Sequence, residues 1–165
     1  MRRHSEGQSL VEMALMLPLL LMILFGIVDL GYYIYGYQTI YEAARNGSEK
    51  AAELAPFQSK LSPLDPTEDC VHAVLDETQK GVVLFSDFSS SNVQISYPNN
   101  NTRALGEPIQ VEITYNIQPL TPLFRLVSFG NQGVLPVHVT ARRSVESLGF
   151  GPPSPGHPNG IVCTQ

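Results

Sequence analysis

The sequence of 165 residues is short of charge, and its few basic residues are scattered. Asp, Glu, Lys and Arg together make up 15% of the chain, against roughly 25% in a typical soluble domain. The formal net charge is −5, and no basic cluster exceeds the pair Arg142 and Arg143. Because proteins that bind nucleic acid concentrate positive charge against the phosphates, this composition argues against a nucleic-acid partner.

Recognisable catalytic and metal-binding motifs are also missing from the sequence. The four histidines are isolated from one another and from the two cysteines, so none has the spacing of a metal-ligand pair. The sequence contains no G-x-S-x-G, no G-x-x-x-x-G-K and no G-x-G-x-x-G motif. Residues of a serine–histidine–aspartate triad can be far apart in sequence, but no serine here lies in an activating context. We therefore expect no enzyme activity, no catalytic residues, no metal and no cofactor.

The most prominent feature that is present is a long apolar run near the N-terminus. It extends from Leu10 to Val28 with Glu12 as its only charge, and as a helix its nineteen residues would measure about 28 Å, close to the ~30 Å hydrocarbon core of a bilayer. Tyrosine favours the membrane–water interface, and five of the seven tyrosines follow the run: Tyr32, Tyr33, Tyr35, Tyr37 and Tyr41. This pattern predicts a transmembrane helix.

Two other interpretations of the apolar run are weaker. A helix buried in a soluble core would be hard to cover on all sides in so small a domain. A cleaved secretory signal peptide would share the basic start and the apolar stretch, but no small-x-small cleavage site follows, because residues 29–41 alternate large aromatics with isolated glycines.

Flanking charge predicts the orientation of this helix in the membrane. Arg2 and Arg3 precede the run, and the next basic residue is Arg45. The positive-inside rule therefore predicts a single-pass protein of the cytoplasmic membrane with a cytoplasmic N-terminus. Cys70 and Cys163 would then both lie outside the cytoplasm, where an oxidising environment favours a disulfide between them.

Hydrophobic periodicity predicts two helices. One runs from about residue 9 to 54, bent at Pro18 and ended by Pro56. After a Pro/Ser-rich linker, a second, amphipathic helix is predicted to start at an N-cap, Thr67, and to stop at Gly81. Its apolar face is formed by Val71, Val74, Leu75 and Thr78, and His72 falls outside that face as a surface histidine.

Three segments with alternating apolar residues predict β-strands at 93–97, 108–117 and 135–141. The fold class is therefore α+β: a long N-terminal helix packed on a small antiparallel sheet, with one additional amphipathic helix. We expect the excursion between the last two strands to return to the membrane surface, and the Pro/Gly-rich tail from Gly149 to be extended or disordered. The apolar residues of that excursion are Leu120, Leu123, Phe124, Leu126, Val127 and Phe129.

The segment GQSLVEMALMLPLLLMILFGIVDLGYYIYGYQTIYEAARNGSEKAA resembles the N-terminal region of the TadE/TadG-like family, the minor pilins or pseudopilins of tight-adherence (Flp-type) pilus systems. The resemblance is carried by Gly7, the pair Val11 and Glu12, the pair Leu17 and Pro18, and the acidic-x-Gly pattern at 29–31. YNIQPLTPLF and VHVTARRSVE are similar to the second half of the family, so that the resemblance covers most of residues 5–147.

This resemblance implies a prepilin-type leader that a prepilin peptidase cuts between Gly7 and Gln8. The implied partners are that peptidase, other pilin or pseudopilin subunits, the pilus assembly platform and the membrane. Met13 follows Glu12 where the very short major pilins have tyrosine, and a large domain follows the helix, so a minor subunit is implied. The expected domains are the leader 1–7, the transmembrane part 8–32, the helix continuation 33–55, the α+β domain 56–148 and the tail 149–165.

Glu12 is the one charge that interrupts the apolar run. Cleavage after Gly7 would create an ammonium group four positions before it, and in a bundle of such helices the carboxylate of one subunit can pair with the ammonium of its neighbour. This pair would set the axial register. Two alternatives stay open: an interfacial carboxylate that merely reaches water, and an uncleaved, single-pass membrane-anchored binding module that never polymerises.

The predicted topology places residues 33–165 outside the cytoplasmic membrane. A reporter enzyme that is active only after export, fused after Gln165, should therefore be active in cells. Activity of a cytoplasm-only reporter at the same position, with an inactive export reporter, would show that the orientation is reversed.

Overall fold

A computed structural model describes residues 5–98, 103–122, 125, 133–149 and 160–164. It contains helix α1 (Ser5–Leu54), helix α2 (Asp69–Lys80) and strands β1 (Val93–Ser96), β2 (Pro108–Ile117) and β3 (Leu135–Ser144), with short 3₁₀ turns at Gln58–Lys60 and Ser90–Asn92. The predicted α+β class is confirmed. The chain divides into two compact units, the first comprising residues 1–36 and 116–135 and the second comprising residues 37–115 and 136–165.

Helix α1 is longer at its start than the sequence indicated. It begins at Ser5 instead of residue 9 and continues through Pro18. A proline removes one backbone hydrogen bond without forcing a helix to end, and apolar surroundings favour the hydrogen-bonded helical backbone on both sides. The bend expected at Pro18 stays a prediction.

The end of α1 is confirmed at Leu54 and is held by contacts from distant segments. Ala55 adopts a φ of 42°, a left-handed conformation that costs a non-glycine residue roughly 1–2 kcal/mol. Its carbonyl oxygen accepts a hydrogen bond from Arg103, and the carbonyl of Ala52 accepts one from the backbone N–H of Glu146 at 2.9 Å. These donors satisfy carbonyls that a helix end leaves without intrahelical partners.

A buried tyrosine directly after strand β1 reinforces the same helix end. The Tyr97 hydroxyl donates to the carbonyl of Pro56 at 2.8 Å. Burial raises the pKa of Tyr97 to about 12, so the phenol stays protonated and keeps donating across the physiological range.

The start of α2 differs from the prediction by one residue, and the N-cap is Glu68 instead of Thr67. The Thr67 hydroxyl donates to the Asp65 carboxylate at 2.6 Å, and this bond lowers the pKa of Asp65. Glu68 caps the helix because its carboxylate accepts from the backbone N–H of Val71 at 2.8 Å. The predicted C-terminal stop at Gly81 and the buried apolar face are confirmed, and His72 is exposed as expected.

The three strands form one sheet in the order β1-β2-β3. β1 and β2 are antiparallel, with Val93 opposite Ile113 and Ile95 opposite Val111. All four of these side chains are buried, since alternate residues of a strand point to the same face. The second part of α1 contributes Ile40, Ala43, Ala44, Ala51, Ala52 and Leu54 to the core of the second unit.

Gly47 allows α1 to approach the rest of this core closely. A Cβ atom added there would overlap Cγ2 of Thr78 and lie 3.4 Å from Cγ1 of Val111. Thr78 is fully buried and its hydroxyl donates to the carbonyl of Leu75 at 2.7 Å, so the methyl group has little room to move. Gly47 is therefore a close packing contact inside an unbroken helix.

Replacing Gly47 with alanine should destabilise the second unit. In an exposed helix interior this change stabilises by about 0.5–1 kcal/mol, but here overpacking should cost roughly 1–3 kcal/mol and reverse the sign. The measurement is thermal unfolding of the full chain in detergent. Gly47→Ala combined with Thr78→Ser removes the methyl that the new Cβ meets and keeps the hydroxyl, so it should recover stability. No recovery in the double variant would contradict this packing account.

The end of the tail packs against both helices. The sequence predicted an extended or disordered tail, and for these residues that prediction is wrong. Ile161 and Cys163 are buried with Leu54 and Cys70 in one cluster, and Cys70 and Cys163 are joined in a disulfide. The backbone N–H of Thr164 donates to the Glu68 carboxylate at 3.0 Å, so the cap of α2 also binds the tail. Residues 150–159 lie outside the described residues.

We expect the exported protein, denatured without reduction, to contain no free thiols. The two cysteines are 93 residues apart, and closing such a loop contributes up to about 4–5 kcal/mol in the chain-entropy model. Cys70→Ser, Cys163→Ser and the double variant should therefore lower the free energy of unfolding by similar amounts. Two free thiols in the exported wild-type chain would contradict the pairing.

Candidate assembly site on the N-terminal helix

The first part of α1 presents an apolar surface with no cover from the rest of the described chain. Every side chain from residue 7 to 24 is exposed, with exposed fractions of 72% at Leu10 and 73% at Leu15. The helix is long and apolar enough to cross a membrane, and none of its most apolar stretch is buried within the described residues. A core helix of a soluble protein would be mostly buried, so this surface needs lipid or other helices around it.

The predicted processing site lies in the first turns of α1. Gly7 and Gln8 are both helical and exposed, and a Cβ atom at Gly7 would meet nothing within 4 Å. The bond between them is therefore accessible from the helix surface, but it does not lie in an extended strand. Pro18, the predicted kink, is exposed further along the same helix.

Glu12 is exposed and has only a weak contact to its own helix. The Gln8 side-chain amide lies 3.5 Å from Oε1 of Glu12, at the outer limit of a hydrogen bond. This spacing of four residues places Gln8 and Glu12 on one face of α1. The carboxylate therefore stays available to a group outside the described chain.

Asp29 is the first charged residue after the apolar run of this helix, and the sequence pattern did not identify it as a site. It is 0% exposed. Oδ1 accepts from the backbone N–H groups of Leu120 at 3.0 Å and Thr121 at 2.9 Å, and Oδ2 accepts from the Thr121 hydroxyl. Burying a carboxylate is costly unless donors replace its hydration, and three donors do so here. The signal in the sequence was an acidic residue directly after a charge-free run.

One turn after Asp29, a second contact joins α1 to the same part of the chain. The Tyr33 hydroxyl donates to the carbonyl of Gly133. The two contacts hold both ends of the excursion between β2 and β3 against one stretch of helix. Of the apolar residues predicted for this excursion, Leu120 is exposed, whereas Leu123, Phe124, Leu126, Val127 and Phe129 lie outside the described residues.

The second unit carries a polar groove with its own charge pairs. This open groove has a volume of about 550 Å³ and is lined by Asn46, Glu49, Lys50, Ala52, Glu53, Glu77, Arg143 and Glu146. Glu49 pairs with Arg45 at 3.3 Å and also with Arg143, and the hydrogen bond from Arg45 is the main cause that lowers the pKa of Glu49. The charges at Glu49 therefore compensate one another within the protein.

One group of side chains among the described residues has the spacing of metal ligands. Glu68, Cys70 and Cys163 bring donor atoms within 4.8 Å of one another, but the two sulfur atoms are bonded to each other and offer no thiolate to a metal. Nε2 of His138 lies 2.5 Å from the Glu112 carboxylate. His4 and His157 lie outside the described residues.

Comparison with known proteins identifies the helix that carries these features. A family model described as TadE-like protein matches residues 7–49, which include Gly7, Glu12, Pro18 and Asp29. This match confirms the resemblance of the N-terminal segment, and the resemblance of the second half stays a prediction. No curated protein and no solved structure matches the chain. The exposed apolar helix and its similarity to this family together support membrane anchoring, and over residues 7–49 the chain is similar to TadE-like proteins.

Proposed function

We propose that this protein is a minor pilin or pseudopilin of a Tad/Flp-type pilus assembly or secretion system. In this role it is not an enzyme. A prepilin peptidase removes residues 1–7, and the remaining helix first anchors the subunit in the cytoplasmic membrane and then joins other pilin helices. The observation that carries the proposal is the all-round exposure of an apolar helix surface that contains the single carboxylate of Glu12.

The same apolar surface can serve both states of such a subunit. Lipid tails and neighbouring helices are similarly apolar, so transferring α1 from one to the other changes the hydrophobic free energy little. Packing alone would then also leave the axial position of neighbouring helices weakly defined. A pair of opposite charges inside the bundle fixes the axial position, because any other position would leave a buried charge without its partner, which is costly.

Glu12 and the new N-terminus would form this pair. Cleavage before Gln8 creates an ammonium group on the helix face that carries Glu12, about 6 Å away along the axis at 1.5 Å per residue. In a bundle of low dielectric constant, the attraction between the carboxylate and the ammonium group of a neighbouring subunit is several times stronger than in water. The weak contact between Gln8 and Glu12 leaves the carboxylate free to make it.

Processing requires that the first turn of α1 opens locally. Gly7 and Gln8 are helical in the uncleaved chain, whereas an extended segment fits a peptidase cleft without side-chain clashes at glycine. Glycine also lowers the cost of opening, because it favours the helix about 1 kcal/mol less than alanine does. The residue that marks the cut thus also makes the cut accessible.

The presence of a folded second unit favours the role of a minor, accessory subunit and not that of the main subunit of a filament. It adds α2, a three-stranded sheet and a disulfide outside the helix, and these would lie beyond the membrane and later on an assembled complex. The proposed partners are the prepilin peptidase, other pilin subunits and the assembly platform. Such a subunit would contribute to adhesion or secretion through assembly.

Glu12→Gln and Gly7→Leu separate assembly from processing. Glu12→Gln keeps the size of the side chain and removes its charge, so membrane insertion and cleavage after Gly7 should persist while co-purification with the pilus assembly falls. Gly7→Leu should block cleavage with Glu12 intact. The measurements are the amount in the membrane fraction, the N-terminal sequence and the co-purified pilus subunits.

Two outcomes would contradict the proposal. A wild-type chain recovered from membranes with an N-terminus at residue 1 or 2, in cells that contain the peptidase, would favour the uncleaved binding module. A Glu12→Gln chain that is cut and assembles like the wild type would show that the carboxylate does not set the register.

A further inference from the structure

We propose that the residues around Leu120 form a second membrane contact, which Asp29 holds at the outer boundary of the bilayer. The partner is the phospholipid of the outer leaflet of the cytoplasmic membrane. This inference rests on the proposed membrane-spanning role of α1 and adds a lipid-binding surface to a part of the chain outside that helix.

The depth of this contact follows from the position of Asp29. The charge-free stretch of α1 ends at Val28, and one further residue advances the helix by about 1.5 Å. Oδ1 of Asp29 is 3.0 Å from the backbone nitrogen of Leu120. A single aspartate side chain therefore connects the main chain of Leu120 to α1. In the proposed topology this contact lies at the edge of the hydrocarbon.

The hydrogen bonds at Asp29 are of the kind that this location requires. Irregular backbone near hydrocarbon is tolerated only where its polar groups find partners inside the protein. Asp29 accepts from two consecutive backbone N–H groups, those of Leu120 and Thr121, and from the Thr121 hydroxyl. A carboxylate that only ended the apolar run could remain hydrated, whereas this one is fully buried and serves the excursion.

Exposed side chains on both sides of this contact suit a bilayer interface. Leu120 is 62% exposed, and Ile27 and Leu30, which flank Asp29 in α1, are also exposed. Arg125 is exposed, and its guanidinium group lies 3.5 Å from the Gln118 side-chain oxygen. A leucine that reaches the acyl chains and an arginine near the phosphates form the pattern of an interfacial contact.

The chain contains no tryptophan, which provides a direct test in the full-length protein. Leu120→Trp, reconstituted into vesicles that contain phosphatidylglycerol and brominated phospholipid, should show blue-shifted emission, quenching by the bromine atoms and protection from iodide. Ile27→Trp reports the spanning helix in the same vesicles. It should be quenched by the same brominated phospholipid, because Ile27 belongs to the apolar run of α1.

The two reporters distinguish the inference from the proposed function. Quenching at Ile27→Trp with a water-like, iodide-accessible Leu120→Trp would overturn the second contact and leave the anchor intact. An Ile27→Trp chain that no lipid quenches would overturn both. Protection of Leu120→Trp from iodide without quenching by any brominated lipid would indicate a protein surface there and would also overturn the lipid contact.

Asp29 variants in the Leu120→Trp chain test what holds the contact in place. Asp29→Asn keeps an oxygen acceptor for both N–H groups, so lipid quenching should be retained. Asp29→Ala removes every acceptor, so the Leu120→Trp emission should lose its lipid quenching, shift to the red and become accessible to iodide. In a parallel chain that combines Asp29→Ala with Ile27→Trp, quenching at Ile27→Trp should be unchanged. Unchanged quenching at Leu120→Trp after Asp29→Ala would show that Asp29 does not position the segment.

Discussion

An apolar helix surface without internal cover is the constraint on which the other features depend. From residue 7 to 24 every side chain of α1 is exposed, and water is a poor solvent for such a surface. The protein therefore needs a bilayer or a bundle of helices. Each polar group on or near this part of the helix then needs a partner, and Asp29 and Glu12 differ in whether the described chain supplies one.

Asp29 is satisfied within the chain, whereas Glu12 is not. Asp29 is fully buried and accepts three hydrogen bonds from residues 120 and 121, so its oxygens have hydrogen-bond donors from the chain itself. Glu12 is exposed and has one long contact to Gln8. The first carboxylate organises the protein itself, whereas the second has room for a partner outside the described residues, which agrees with the proposed role in assembly.

The second part of the same helix is covered by the protein itself, because its residues are small on one face. Ala43, Ala44 and Ala51 are buried, and Gly47 has no space for a Cβ atom beside Thr78. At the end of α1, the Glu68 carboxylate and the disulfide between Cys70 and Cys163 attach the C-terminal residues to α2. One helix thus has two different parts: its first part is apolar and exposed, and its second part is closely packed.

The amino-acid sequence by itself determined the features that depend on near neighbours: the apolar run, the end of α1 before Pro56, the buried face of α2 and the three alternating strands. Local pattern also indicated the TadE-like segment. Only the tertiary structure decided that Glu68 and not Thr67 caps α2, because Asp65 takes the Thr67 hydroxyl and Thr164 reaches Glu68 from 96 residues away. It likewise decided that Asp29 binds residues 91 and 92 positions further along the chain. Periodicity reports which face of an element is buried, but a hydrogen-bond partner far away in sequence is selected only when folding brings the two segments together.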